Sequence, residues 1–307
     1  MDGLFFAFAN SIASLVVCMA VGFFCSRRGV IGDGHVSGFT ELLVRVAMPA
    51  TVFMSLMRPF SAELLAESLA ALFSFSLLVV LGGFAGGALA RLIGATEAER
   101  EVWQFGSAFG NFSFMGIPVV LAVFGQEGLI FVSMAMVGTN ILSFTYGISI
   151  FRARPARAGL AAFLAQNPVI PAAALGFVFF VTELRLPKLL ESGAGLLDGL
   201  TAPLSMLVIG AVLSRGKLSD AFTDFRALPH VALRLAALPV ASLLLLGAAF
   251  GDGLMVRVLA CLMAMPVGAI TVLLAEKYAE DPAIAARFVV ATTLLSVITV
   301  PLFSLLL

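Results

Sequence analysis

Charge is what this 307-residue chain has least of: Asp, Glu, Lys and Arg make up 12% of it, against about a quarter in a soluble globular domain. So small a charged fraction cannot cover a water-facing surface, which excludes a soluble domain and a disordered chain. Histidine is as scarce. The two residues, His35 and His230, read as lying in polar connections, so a metal centre or a Ser-His dyad in the apolar runs lacks material. Three cysteines (Cys18, Cys25, Cys261) sit in or beside apolar runs without metal-ligand spacing, and an odd count argues against a secreted disulfide scaffold. They read as small apolar packing residues. The 18 basic and 18 acidic residues cancel, so no net positive field invites nucleic acid. No basic leading region precedes the first apolar run, which therefore reads as a retained helix rather than a cleaved signal.

Apolar residues, by contrast, make up 61% of the chain, and the mean hydropathy is +1.10. An integral membrane protein is the class that remains. A spanning helix needs about 20 mostly apolar residues. Ten runs qualify: 4–25, 37–57, 66–91, 103–124, 128–151, 166–183, 196–214, 228–250, 254–276 and 283–306. Their length, and their Ala, Leu, Gly and Phe richness without strict alternation, predict helices. Residues 156–165 read as an interfacial helix before the sixth span. The expected fold class is thus an all-α integral membrane protein of ten transmembrane helices.

Basic residues orient it. Arg27, Arg28, Arg91, Arg100, Arg152, Arg154, Arg157, Arg215, Lys217, Arg226, Arg234, Lys277 and Arg287 are assigned to the connections after odd-numbered spans. Only Arg58, Arg185, Lys188 and Arg257 fall on the other side, and Arg45 lies inside a span. The positive-inside rule puts the larger set in the cytoplasm, so both termini are expected to be extracytoplasmic. Location in the cell (inner) membrane is expected.

The chain also reads as built twice, over 1–151 and 152–307. Pro49 in span 2 and Pro203 in span 7 are 154 residues apart, as are Phe124-Gly-Gln-Glu-Gly128 and Tyr278-Ala-Glu-Asp-Pro282. Pro118 in span 4 pairs with Pro266 in span 9. Five spans per half is odd, so the halves would insert with opposite topology, the pattern of secondary transporters whose sites lie at broken helices near the midplane. Span 4 carries Gly106, Gly110, Asn111, Gly116 and Pro118 at mid-depth, and span 9 carries Met265-Pro266-Val267-Gly268. Proline removes an N–H and clashes with the previous turn, which predicts a break in span 4 near Gly116–Pro118. The freed backbone groups need protein or water, and two opposed half-helix N-termini would make a cradle for an anion.

These residues resemble the auxin efflux carrier family, which includes bacterial malonate and malate permeases and plant auxin carriers. The resemblance covers essentially the whole chain. It rests on Phe39 to Leu56 with Met48-Pro49, Gly110-Asn111 followed by Met115-Gly116-Ile117-Pro118, and Gln166-Asn167-Pro168. It continues through Ala202-Pro203-Leu204 with Gly210, and Met265-Pro266 followed by Glu276-Lys277-Tyr278. It implies two inverted five-helix repeats, a scaffold of spans 1, 2, 6 and 7, and a transport domain of spans 3–5 and 8–10. It also implies substrate at the crossed, broken spans 4 and 9, an elevator-type motion, and often a homodimer. The charged residues that auxin carriers hold beside the broken helices have no match here.

Candidate substrate contacts follow. Ser107 and Asn111 are one turn apart and share a face; Asn111 matches the family's substrate-contacting Asn and can donate to a carboxylate without formal charge. Ser113, Pro118 and Pro266 line the expected breaks. Asn140 and Ser143 form a polar patch in span 5, Thr271 is available in span 9, and Thr51 flanks Pro49. Glu41 and Arg45, four apart in span 2, read as a structural or gating pair reaching the interface. Gly82, Gly83, Gly86 and Gly87 read as a helix-packing stripe.

The expected function is a secondary transporter of a small organic anion, such as malonate, malate or an auxin-like acid. The alternative is a channel or membrane sensor of similar fold. No catalytic group and no cofactor are expected. No Asp or Glu falls at the depth of either break, which leaves H+ coupling, Na+ coupling and uniport open.

Overall fold

The computed structural model describes residues 2–151, 168–214, 227–268, 270–272, 275 and 282–307. The interfacial helix expected at 156–165, the motif residues Gln166-Asn167 and the segment from Glu276 to Asp281 lie outside the described residues. So do the basic residues expected in the cytoplasm at 152–157, 215–226 and 277.

The described chain is helical almost throughout. The helices are α1 (Asp2–Arg27), α2 (Asp33–Leu42), α3 (Met48–Leu56), α4 (Ala62–Leu92), α5 (Glu97–Ala108), α6 (Ile117–Leu142) and α7 (Ile148–Ile150). Next come α8 (Val169–Thr182), α9 (Lys188–Asp198), α10 (Thr201–Leu213), α11 (Ala227–Ala232), α12 (Leu238–Phe250), α13 (Leu254–Met263) and α14 (Pro282–Phe303). Single π turns at Leu43–Ala47, Ser143–Gly147 and Leu233–Ala237 join helices that otherwise run on, and another at Phe112–Gly116 leads directly into α6. Six helical stretches among the described residues are long and apolar enough to cross a membrane, and Ala13–Arg27, Val169–Thr182 and Leu254–Met263 are shorter apolar ones. The chain is a multi-pass membrane protein.

Local chemistry sets the helix ends. Thr96 and Glu99 form a reciprocal cap that opens α5: the Glu99 N–H donates to Thr96 Oγ1 and the Thr96 N–H donates to Glu99 Oε2. Gly125 interrupts α6 at φ 66°, a conformation that side chains resist. The stretch from Phe112 to Leu142 is therefore two helices in sequence.

By contacts the chain forms two compact units. Unit 1 holds Met1–Ala71, Ser113–Val137 and Leu160–Arg215; unit 2 holds Leu72–Phe112, Gly138–Gly159 and Gly216–Leu307. In unit 1, α1 and α10 meet at glycines. A Cβ on Gly210 would lie 1.9 Å from the Met19 carbonyl oxygen, and one on Gly22 would lie 2.2 Å from that of Leu207. In unit 2, the glycine stripe of α4 packs as expected. A Cβ on Gly86 would lie 2.3 Å from Ser107 Oγ, and one on Gly83 would meet the Tyr146 hydroxyl at the same distance. The other face of α4 exposes Leu69, Phe73, Leu77, Leu81 and Phe84, spaced by about one turn. A continuous apolar stripe of this kind suits lipid, not water.

Candidate functional site

The site is built where α5 and α13 stop, inside unit 2. Span 4 does not break near Gly116–Pro118, as the proline predicts. It breaks at Phe109–Asn111; Phe109 is extended (φ −108°, ψ 98°), and the chain re-enters a helix through the π turn Phe112–Gly116. Pro118 sits second in α6. There it follows directly on the π turn Phe112–Gly116, whose wider i→i+5 winding leaves room for a residue without an N–H, so the ring is accommodated without a break. Span 9 breaks as expected: α13 ends at Met263 and Ala264–Gly268 are not helical.

The two breaks cross and pair. Gly110 and Val267 form an isolated antiparallel bridge. The Asn111 N–H donates to the Pro266 carbonyl at 2.7 Å, and the Gly268 N–H donates to the Phe109 carbonyl at 3.0 Å. Each broken helix thus satisfies orphan groups of the other, which hydrocarbon could not do. Thr292 of α14 fixes the bridge from behind: its Oγ1 accepts the Val267 N–H at 3.0 Å and donates to the Phe288 carbonyl at 2.6 Å. Close approach requires small residues here. A Cβ on Gly268 would lie 2.9 Å from the Gly110 carbonyl oxygen.

Arg234 is the residue that sequence reasoning missed. Assigned to a cytoplasmic connection, it lies instead in the π turn Leu233–Ala237 within a membrane-spanning stretch, and it is fully buried. Nε donates to the Met265 carbonyl at 2.9 Å, and Nη1 donates to the Ser107 carbonyl at 2.8 Å. Its guanidinium lies over the Phe112 ring, 5.4 Å from the centroid. Nη2 has no hydrogen-bond partner among the described residues. The signal was there: Arg234 is the only charge between Arg226 and Asp252, and a lone intramembrane charge is a functional candidate by default.

His230 is a second correction. It lies in α11, not in a polar connection, and is fully buried. Its ring stacks on Phe288 at 4.3 Å and meets the edge of Trp103 at 5.2 Å. The absence of histidine from the spans is therefore no argument against a dyad.

Of the other expected site residues, Ser107, Asn111 and Thr271 gather at the crossover. Ser107 is buried in the last turn of α5, and neither its hydroxyl nor that of the buried Thr271 has a partner among the described residues. Thr271 donates its N–H to the Gly268 carbonyl at 2.9 Å. Gly110 and Asn111 are half-buried. Ser143 Oγ donates to the Asn140 carbonyl at 2.9 Å, within span 5. Ser113 lies in the π turn that follows the break.

Thr51 belongs to unit 1, where its hydroxyl is committed. It donates to Asp198 Oδ1 at 2.7 Å and lies 2.8 Å from Thr201 Oγ1. Gln126 Nε2 donates to the other carboxylate oxygen at 3.0 Å. The buried Asp198 is thus held by neutral donors, a cluster that the sequence did not single out. Glu41 and Arg45 pair at 3.0 Å with both side chains exposed.

A family model described as membrane transport protein matches the chain over residues 7–162 and 160–304. An uncharacterized transporter of Methanocaldococcus jannaschii is 26% identical over 301 residues, 94% of this chain and 95% of its own length. An uncharacterized transporter of Methanothermobacter thermautotrophicus is 24% identical over 99% of this chain and its own full length. The uncharacterized transporter YfdV of Escherichia coli is 20% identical over 68% of this chain and 70% of its own length.

Proposed function

We propose, from the premise that this chain belongs to the membrane transport protein family of the auxin efflux carriers, that it is a secondary transporter of a small organic anion. The substrate class is a mono- or dicarboxylate such as malonate, malate or an auxin-like acid, and the transport domain carries it by elevator-type alternating access. The observation that carries this reading is the paired crossover of two broken helices at Gly110 and Val267. Discontinuous helices at mid-depth expose polar backbone only where it lines a cavity or is buried in protein. In this reading the substrate meets Asn111, Ser107 and Thr271 beside the bridge. Pro266, Asn140 and Ser143 shape its surroundings.

Ten spans in two inverted halves, 1–151 and 152–307, belong to the same proposal, as do extracytoplasmic termini and a homodimer. Spans 1, 2, 6 and 7 form the scaffold and spans 3–5 and 8–10 the moving part. The crossover and its buried supports lie together in unit 2, which suits a body that carries the site as one piece. Residues 113–137, assigned to the moving part, group with unit 1 instead. H+ or Na+ is the candidate coupling ion.

Uptake by proteoliposomes tests the reading, using a labelled carboxylate panel with pH and sodium gradients imposed independently. Saturable uptake of one acid is expected. Flux that rises without saturation would favour a channel instead, and no uptake of any carboxylate would overturn the anion assignment.

A further inference from the structure

Arg234 does more at the crossover than packing requires. It is a buried cation in an apolar stretch, its Nε and Nη1 donate to carbonyls, and no ion pair with a carboxylate among the described residues compensates it. An intramembrane charge is costly and is retained for a function by default. The compensation comes from the backbone. α5 and α13 both end at the crossover, and a helix C-terminus carries about half a negative charge. The guanidinium takes one carbonyl from each end, Ser107 at 2.8 Å and Met265 at 2.9 Å. Two such ends sum to about one negative charge, which the guanidinium cancels. Without it, the two carbonyl ends would oppose the pull of the half-helix N-termini on an anion.

The third arm is unused. Nη2 lies in the notch that Gly110 leaves, where a Cβ would be 1.8 Å away, and it has no hydrogen-bond partner among the described residues. Gly110 and Asn111, which border this notch, are half-buried rather than sealed. A guanidinium N–H donates strongly and directionally to a carboxylate.

We infer that Arg234 is the fixed cation of the crossover, cancelling its two carbonyl ends and offering Nη2–H to one carboxylate of the substrate. This rests on the carrier reading above and names the group that selects the substrate's charge.

The test uses full-length protein in proteoliposomes and whichever of malonate, malate and indole-3-acetate the wild-type protein takes up. The corresponding amide should compete at least about tenfold more weakly than the acid, because it brings no charge to the guanidinium. Arg234→Gln, checked for folding by thermal melting, should lose at least about tenfold in apparent affinity for the acid, and Arg234→Lys should keep part of it. A folded Arg234→Gln with wild-type affinity would overturn the inference while leaving the carrier standing. So would an amide that competes as well as the acid. Where Arg234→Gln does not fold, the amide result on wild-type protein decides. No uptake of any probe by wild-type protein would bring down the carrier reading, and this inference with it.

Discussion

Single atoms at the crossover decide how much change it tolerates. Gly110 has no room for a methyl group, because the Arg234 guanidinium fills the notch. Gly110→Ala must displace a buried charge or the paired backbone, and overpacking of this kind costs about 1–3 kcal/mol. A lowered melting temperature together with lost uptake is expected; a variant that melts and transports like wild type would mean the notch is looser than the structure shows. Thr51 is a different kind of residue. Its hydroxyl donates to the buried carboxylate of Asp198, so Thr51→Val leaves an acceptor short of a partner, at a cost of about 1–3 kcal/mol. Thermal melting should register that loss, and an unchanged melting temperature would show that water or Thr201 replaces the bond.

At the scale of helices, the break in span 4 belongs to Gly110 and its partner strand rather than to Pro118. Pro118→Ala should therefore leave the break in place, since the proline lies past the break, where the π turn already accommodates its ring. Uptake close to wild type is the expected result; loss of uptake in a folded variant would return the break to the proline. This is also where sequence reading reached its limit. Run length and composition made the helices legible, and Gly and Pro at mid-depth pointed to both broken spans. The position of the first break was not legible, because it is fixed by hydrogen bonds to Pro266 and Gly268, more than 150 residues away. Arg234 was legible as a lone charge inside an apolar run, but counting it with the cytoplasmic basic residues hid it. Its partners, the Ser107 and Met265 carbonyls, are backbone atoms that no side-chain pattern announces. The Thr51–Asp198–Gln126 cluster joins three distant segments and left no local signal for the same reason.

For the molecule as a whole, an apolar surface and a polar crossover serve one account. The exposed stripe on α4 faces lipid, while the backbone groups freed by two broken helices are satisfied by each other and by Arg234. Asn111 separates structure from recognition most cleanly. Its main-chain N–H holds the crossover together, and alanine keeps that N–H while removing the amide proposed to meet the substrate. The most direct measurement is the concentration dependence of carboxylate uptake by wild-type protein and Asn111→Ala, with melting curves for both. The account predicts two folded proteins and an apparent KM raised by about tenfold in the variant, the loss of a hydrogen bond to a charged group. Equal KM values in two folded proteins would contradict a substrate site at the crossover.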